Sequence, residues 1–228
     1  MAEVILFARE PLPGRVKTRL APALGADGAC ELYRAFVADA VAEWCARPGF
    51  RVTVAHDPDP VPTPFLADLC RAHGASLVAQ SGAGLGERMA GALRDRVAAS
   101  GAPALLIGTD LPTLPCAHLD AALHLLARHP LVFNPATDGG YYLAGASPAA
   151  LERWDAVRER LFTGIPWSSG ATLHATLARK GDLDVALGPP WHDVDGPDDL
   201  DLLRAHLRRH PAPPLPHTRA LLAGWGWR

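Results

Sequence analysis

Short apolar runs alternate with segments of helical hydrophobic spacing through the first part of the chain. The runs are brief, rich in β-branched residues or leucine, and bounded by turn signals, which is typical of buried strands. They comprise residues 4–8, 52–55, 76–79, 104–107 and 131–133. Between them, apolar side chains recur at helical spacing: Tyr33, Val37, Val41 and Trp44, Leu66 and Leu69, Met89 and Leu93, and Leu119, Leu123 and Leu126. This alternation predicts an α/β fold in which a mostly parallel sheet carries helices on both faces.

The second half of the chain is less regular. Residues 141–145 follow two glycines and predict a strand that turns back along the sheet. We expect Ser168 to cap a helix that runs to Lys180, and Asp195 to cap another that runs through Arg209.

The domain organisation follows from where these patterns stop. Residues 1–209 carry all the predicted elements and are expected to form a single domain. Residues 210–228 contain several prolines and two tryptophans, and we expect them to form a C-terminal tail that is an appendage rather than a domain.

Composition limits the classes of function. Hydrophobic residues make up 49% and charged residues 20% of the chain, with a formal net charge of -2, so an overall basic field that would attract nucleic acid is absent. No apolar run approaches the roughly 20 residues of a membrane span. Glu3 stands where a signal peptide would carry positive charge, so the N-terminal segment is interpreted as a first strand. The scattered cysteines lack a C-x-x-C spacing, which favours free thiols in a reducing cytoplasm. They are Cys30, Cys45, Cys70 and Cys116.

A basic loop follows the first predicted strand directly. Residues 9–20 hold four cations, and Gly14 permits close backbone approach to a ligand. The cations are Arg9, Arg15, Lys17 and Arg19. Such a cluster suits a polyanion such as the diphosphate of a nucleotide. The loop is not a Walker A motif, because Pro11 and Val16 stand where that motif requires glycine. A solvated basic loop without a ligand is the alternative.

Acidic residues stand where strands are predicted to end. Asp110 follows the strand 104–107 and is placed to bind Mg²⁺ or Mn²⁺ that bridges phosphates, although a turn aspartate is the plain alternative. Asp193 and Asp195 alternate and should face opposite sides of an extended chain. We therefore expect Asp193 to bind the metal, while Asp195 caps the helix.

Two glycine-containing segments complete the candidates. In the segment 134–142, Gly139 and Gly140 let the backbone pass close to a ligand and Tyr141 offers a stacking face, although Asp138-Gly139 also favours a simple hairpin turn. In the segment 80–89, glycines between a strand and a helix could place backbone amides near a base or an anion. The residues concerned are Gly82, Gly84 and Gly86. Trp167 could wall a substrate pocket, but it could equally belong to the core.

Taken together, six motifs in this order resemble one family. They occupy residues 7–22, 85–89, 108–112, 138–143, 165–168 and 193–200. The chain is similar to the bacterial DUF2064 group of GT-A-type glycosyltransferases, also labelled arsenosugar-biosynthesis or radical-SAM/selenodomain-associated transferases. The resemblance implies a Rossmann-like GT-A (nucleotide-diphospho-sugar transferase) fold over about residues 4–203.

The resemblance also implies roles for particular residues. In the wider superfamily, the loop after strand one binds nucleotide phosphates, which corresponds here to Arg9, Gly14, Lys17 and Arg19. The strand-end aspartate of the superfamily corresponds to Asp110. Only one acid is present in that motif, so Asp193 is the candidate for the second metal ligand.

These observations lead to an expected activity and to rivals. We expect a cytoplasmic, metal-dependent glycosyltransferase in which Lys17 and the neighbouring arginines hold the donor phosphates, with Gly82 and Gly84 near the base. Asp138 would orient or deprotonate a small-molecule acceptor, which Gly139, Gly140, Tyr141 and Trp167 help to bind. A nucleotidyltransferase that joins an NTP to a phosphorylated small molecule is the close rival, and a non-catalytic nucleotide-binding domain is the distant one.

Overall fold

In a computed structural model, which describes residues 1–59, 64–210 and 214–227, the chain is built around a seven-stranded sheet. The order of the strands across the sheet is β3-β2-β1-β4-β6-β5-β7. The strands are β1 (Ala2–Ala8), β2 (Phe50–His56), β3 (Ser76–Ala79), β4 (Ala104–Gly108), β5 (Leu131–Pro135), β6 (Tyr141–Ala146) and β7 (Val185–Leu187). Residues 211–213 and 228, which belong to the expected C-terminal tail, lie outside the described residues.

The sheet is mostly parallel, as the alternation of apolar runs predicts. β1 pairs in parallel with β2 and β4, and parallel pairs also join β2 to β3 and β5 to β7. β6 follows the two glycines and runs antiparallel to both of its neighbours, β4 and β5. The structure therefore confirms both the parallel sheet and the strand that turns back.

Helices cover both faces of the sheet. They are α1 (Ala21–Ala46), α2 (Pro64–His73), α3 (Leu85–Ser100), α4 (Cys116–Leu126), α5 (Trp154–Leu161), α6 (Thr172–Ala178), α7 (Pro197–Arg209) and α8 (Pro216–Gly224). Successive side chains of a strand point to opposite faces. Val4 and Leu6 of β1 accordingly pack in the core with α1, whereas Ile5 packs in a second core with α3. In the described part of the chain, no helix is long and apolar enough to cross a bilayer.

Two predicted helix starts are wrong. Ser168 does not cap α6, which begins at Thr172 and ends before Lys180. Instead Ser168 adopts φ of +57° in a turn closed by the Thr172 hydroxyl, which donates to the Pro166 carbonyl. In α7 the N-cap is Gly196 rather than Asp195.

The start of α7 has a different cap from the predicted one. Oδ2 of Asp199 accepts the backbone N–H of Gly196 at 2.7 Å and that of Asp195 at 2.9 Å. A carboxylate in the first turn thereby satisfies donors that lack partners within the helix. The Asp195 side chain therefore does not cap α7.

The sequence patterns missed three parts of the fold. A 3₁₀ helix (Pro148–Arg153) leads into α5, whose buried Trp154, Val157 and Leu161 do have helical spacing. β7 has only three residues, which is too short for a period to be visible. The third missed part is α8, which lies within the expected tail.

α8 is anchored to α1 by one buried carboxylate. Asp39 is 2% exposed, and its two oxygens accept the backbone N–H groups of His217 and Thr218 at 2.9 Å each. These N–H groups belong to the first turn of α8, where donors have no partner within the helix. Asp39 therefore caps α8 from a position 178 residues earlier in the chain.

Replacing Asp39 with alanine is expected to destabilise the protein by about 2 kcal/mol, because two buried donors lose their acceptor. Urea unfolding measures the loss, and hydrogen exchange should show faster exchange of the α8 amides. Asp27→Ala, an exposed position on the same helix, is the matched control and should leave both measurements unchanged. Equal protection of α8 in the two variants would contradict this anchoring role.

Candidate functional site

The basic loop after β1 is attached to the end of the sheet. The Arg9 backbone N–H donates to the Tyr33 hydroxyl at 2.9 Å, and this hydroxyl lies 3.1 Å from Thr109 Oγ1 after β4. Gly14 adopts φ of +74°, a conformation that favours glycine, and turns the chain back toward the sheet. The loop thus returns Lys17 to the end of β4.

Lys17 is buried between two carboxylates. Its Nζ lies 2.6 Å from Asp110 Oδ1 and 2.7 Å from Asp195 Oδ1, and its side chain is 4% exposed. Burial alone would lower the pKa of Lys17, but the two carboxylates outweigh it and raise the pKa above its usual value. The backbone of Lys17 has φ of +47°, which residues with a side chain rarely adopt. Strain of this kind is held only where the surroundings fix it, and it concentrates at functional sites.

The predicted division of labour between Asp193 and Asp195 is wrong for Asp195. Its carboxylate pairs with Lys17, and this cation lowers the pKa of Asp195 although burial would raise it. The segment around these residues is irregular rather than an extended strand, so the two side chains approach each other instead of facing opposite sides. Burial and the Asp195 carboxylate together raise the pKa of Asp193 to about 7.

Lys17, Asp110 and Asp195 border a cleft of about 560 Å³ at the carboxyl ends of β1 to β4. Open α/β sheets bind ligands at this edge. Five cations line it, against the three carboxylates of Asp57, Asp110 and Asp195. The cations are Arg9, Arg15, Lys17, Arg19 and Arg88. The cleft therefore suits an anion with several charges.

Arg88 and Asp57 are site residues that sequence reasoning missed. Arg88 Nη1 lies 3.1 Å from Asp57 Oδ1, and Arg9 Nε lies 3.7 Å from Asp57 Oδ2. Asp57 directly follows β2 and could have been found by asking which charged residues follow strands, whereas Arg88 lies in the first turn of α3, within the motif 85–89. Asp57 thus pairs with two of the arginines of the cleft.

The predicted glycines differ in what they do. Gly84 lines the cleft at the start of α3. Gly82 instead backs onto α3, where a Cβ would lie 2.8 Å from the Glu87 Cβ, and Gly86 packs against Phe162 and Trp167. Gly14 and Gly82 are not among the described residues that line the cleft. Their positive φ angles shape the loops that carry the lining residues.

A second pocket of about 310 Å³ adjoins the cleft. The two cavities share five lining residues, among them Asp110, Trp167 and Ser168, whereas Asp138 and Asp193 line only the second. The structure thus brings Asp138, Gly140, Tyr141 and Trp167 together in one pocket, next to the cleft that the five cations line.

Asp138 and Tyr141 are positioned by different means. Asp138 is exposed, and its Oδ1 accepts the Gly140 backbone N–H at 2.9 Å, which closes a small turn. Tyr141 packs its ring edge-on against Trp167, with 6.1 Å between centroids. Burial raises the pKa of the Tyr141 hydroxyl, which has no hydrogen-bond partner in the described part of the chain. The hydroxyl of the next residue, Tyr142, does have hydrogen-bond partners: it donates to the Pro189 carbonyl and accepts from the Asn134 side-chain amide.

Gly139 joins two loops of the second pocket. It has φ of +90°, and a Cβ there would collide with the Gly170 carbonyl. Its own carbonyl accepts the Leu173 N–H at 3.0 Å. Only glycine allows this approach, so Gly139 serves to place Asp138 beside the segment that carries Trp167.

The acidic residues at the junction fit a divalent cation in part. Asp110 and Asp193 both line the second pocket, and their carboxylates are the hard oxygen ligands that Mg²⁺ and Mn²⁺ prefer. Among the described residues, no three acidic, histidine or cysteine side chains form a complete cage. A cation bound here would complete its coordination with ligand phosphates and water, as Mg²⁺ commonly does.

Comparison with known proteins identifies relatives of this site and fold. The family model "Uncharacterized protein conserved in bacteria (DUF2064)" matches residues 40–169. A crystal structure from Desulfovibrio desulfuricans G20, provisionally named a nucleotide-diphospho-sugar transferase, is 30% identical with a TM-score of 0.84. The match covers 98% of this chain and 94% of that one. A search of curated proteins finds no match.

More distant structures share the fold alone. CMP:2-keto-3-deoxy-manno-octonic acid synthetase complexed with CTP is 12% identical with a TM-score of 0.54, over 91% of this chain and 98% of that one. A cytidylyltransferase from Leptospira borgpetersenii serovar Hardjo-bovis is 13% identical with a TM-score of 0.56, over 92% and 87%. The chain belongs to the DUF2064 family and has the Rossmann-like fold of the nucleotide-diphospho-sugar transferases.

Proposed function

We propose that the protein is a metal-dependent glycosyltransferase that transfers a sugar from a nucleotide-diphospho-sugar to a small-molecule acceptor. The observation that carries the proposal is the pair of adjoining cavities, one lined by five cations and the other by carboxylates, which meet at Asp110. Transfer of a sugar breaks the bond from its anomeric carbon to the diphosphate and forms a bond from that carbon to the acceptor, so a site for the diphosphate must adjoin a site for the acceptor.

The cationic cleft is the donor site in this proposal. Lys17 and Arg19 bind the diphosphate, and Arg9, Arg15 and Arg88 extend the positive surface along the nucleotide. Positive charge fixed at this position also stabilises the diphosphate as it leaves with negative charge. Gly84 and Gln80 also line the cleft and would lie near the base.

Lys17 must exchange partners when the donor binds. In the free protein its ammonium is shared between Asp110 and Asp195. Asp110 and Asp193 would hold Mg²⁺ or Mn²⁺, which supplies charge neutralisation for the phosphates. With Asp110 engaged in this way, the ammonium of Lys17 is available to a phosphate oxygen while Asp195 keeps the side chain in place.

The second pocket is the acceptor site. Asp138 lines it and is exposed, so its carboxylate can orient an acceptor hydroxyl or take up the proton that the hydroxyl loses. Gly139 and Gly140 fix the turn that presents Asp138, while Tyr141 and Trp167 form an aromatic wall. The rings give an apolar surface to a sugar or another small acceptor.

The products distinguish the proposal from nucleotidyl transfer. A glycosyltransferase releases a nucleoside diphosphate from a nucleotide-sugar, whereas a nucleotidyltransferase releases pyrophosphate from an NTP. We expect the protein, supplied with Mg²⁺ and a panel of nucleotide-sugars and NTPs, to release nucleoside diphosphate only. Liquid chromatography of the nucleotide products and an enzymatic pyrophosphate assay measure both. Pyrophosphate released from an NTP by the wild-type protein, and lost in Asp110→Asn, would assign the rival activity.

Replacing Lys17 with methionine is expected to lower kcat/KM for the donor by about 10²- to 10³-fold, because one donor to the developing phosphate charge is removed. Lys180→Met is the matched control, since Lys180 is the only other lysine of the sequence and lies outside both cavities as the described residues define them. Steady-state kinetics with the donor varied measure both variants, and circular dichroism checks folding.

Arg19→Gln provides the same test at an exposed position, where folding is not at risk. We expect the KM for the donor to rise more than kcat falls, because Arg19 contacts the phosphates in the ground state as well. Full activity of both Lys17→Met and Arg19→Gln would rule out the cleft as the donor site.

A further inference from the structure

The two cavities differ sharply in charge. Five cations line the cleft, whereas the charged residues among the described lining of the second pocket are Asp110, Asp138 and Asp193. No lysine, arginine or histidine appears among the described residues that line the second pocket. A pocket of one sign with apolar walls concentrates its field and repels ligands of that sign.

The remaining surface of the second pocket suits a neutral molecule. Met89, Leu106 and Leu111 supply apolar wall, and Trp167 closes one side. A cavity of about 310 Å³ corresponds to roughly ten waters at about 30 Å³ each, so it takes a small molecule rather than a polymer.

Tyr141 indicates that the occupant also carries a polar group. Tyr141 lines the pocket, and its buried hydroxyl lacks a hydrogen-bond partner among the described residues. Buried hydroxyls are nearly always hydrogen-bonded, so a group that is left over at the wall of a cavity is best satisfied by a ligand. The neighbouring Thr172 hydroxyl does not need a hydrogen bond from a ligand, since it already donates to carbonyl groups of its own turn.

From these three features we infer that the second pocket takes an uncharged or amine-bearing hydroxyl compound of about monosaccharide size, and that it rejects phosphorylated or carboxylated acceptors. The inference rests on the proposed function, because it assumes that the pocket holds the acceptor. It excludes the phosphorylated acceptor that nucleotidyl transfer would need.

Binding of donor and cation does not remove this selectivity. A divalent cation on Asp110 and Asp193 cancels the charge of those two carboxylates, and the cations of the cleft face the donor's diphosphate. Asp138 takes part in neither of these pairings, so its negative charge still faces the acceptor. Selectivity against anions should therefore persist in the donor complex and should depend on Asp138.

The test uses four probes that share one pyranose ring: methyl α-D-glucoside, D-glucosamine, D-glucuronate and D-glucose 6-phosphate. Their affinities are measured by calorimetry on the full chain with Mg²⁺ and one nucleoside diphosphate. This nucleoside diphosphate is the one that raises the melting temperature of the protein most. We expect methyl glucoside and glucosamine to bind, and both anions to bind at least about tenfold more weakly, because like charges a few ångströms apart at a protein surface repel each other by about this much.

Two variants connect the selectivity to its cause. Asp138→Lys should strengthen glucose 6-phosphate binding at least about tenfold relative to methyl glucoside, while Asp68→Lys, the same charge change at an exposed site on α2, should not. Tyr141→Phe should weaken methyl glucoside binding about 2- to 12-fold without lowering the thermal stability of the free protein, because its hydroxyl has no partner to lose.

The outcomes separate this inference from the proposed function. If no nucleoside diphosphate binds, the proposed donor site fails before any probe is added. If a nucleoside diphosphate binds but the anionic probes bind as tightly as methyl glucoside, the inference about the acceptor is overturned. Failure of all four probes in the presence of bound nucleotide overturns it as well.

Discussion

The burial of Lys17 between Asp110 and Asp195 is the constraint on which the rest of the site depends. These three residues come from the loop after β1, the end of β4 and the segment before α7, so one ammonium holds together parts of the chain that are up to 178 residues apart. A buried charge is tolerated only when it is paired, so each partner is needed for the others to stay in place. The strained backbone of Lys17 is maintained by the same contacts.

The topology of the sheet explains why such a cluster can form. Parallel strands β1 and β4 are neighbours, so the loops that follow them open at the same edge. β6 reverses direction beside β4, which brings the 136–140 loop that precedes it to that edge as well. Asp110 therefore stands at the border between a cleft with five cations and a pocket with none among its described lining residues. Two environments of different charge therefore meet at Asp110, and the proposed transfer from an anionic donor to a neutral acceptor would use both.

Local patterns were sufficient for most of the fold. Apolar runs and helical spacing predicted six of the seven strands and the cores of α1 to α4, because most of them bury a face whose period is visible in the sequence. β3 was expected to be buried but is the edge strand of the sheet, and three of its four residues are exposed. β7 was missed because three residues carry no period. α8 was missed because its contacts lie far away along the chain, with Asp39 and with the apolar side chains of α1. The helical spacing of Trp154, Val157 and Leu161 was available and would have revealed α5.

The site was predictable wherever a charged residue follows a strand. Arg9, Lys17, Arg19 and Asp110 line the cleft, as the basic loop and the strand-end aspartate suggested. The role of Asp195 could not be found in this way, because helix-cap statistics are local and Lys17, its partner in space, lies 178 residues away.

A crystal structure of the protein with Mn²⁺ and a nucleoside diphosphate tests the central claim most directly. We expect the diphosphate in the cleft within hydrogen-bond distance of Lys17 Nζ, and an anomalous Mn²⁺ peak beside Asp110 and Asp193. A nucleotide bound elsewhere, with Lys17 still paired to both Asp110 and Asp195 and no metal at Asp193, would contradict it.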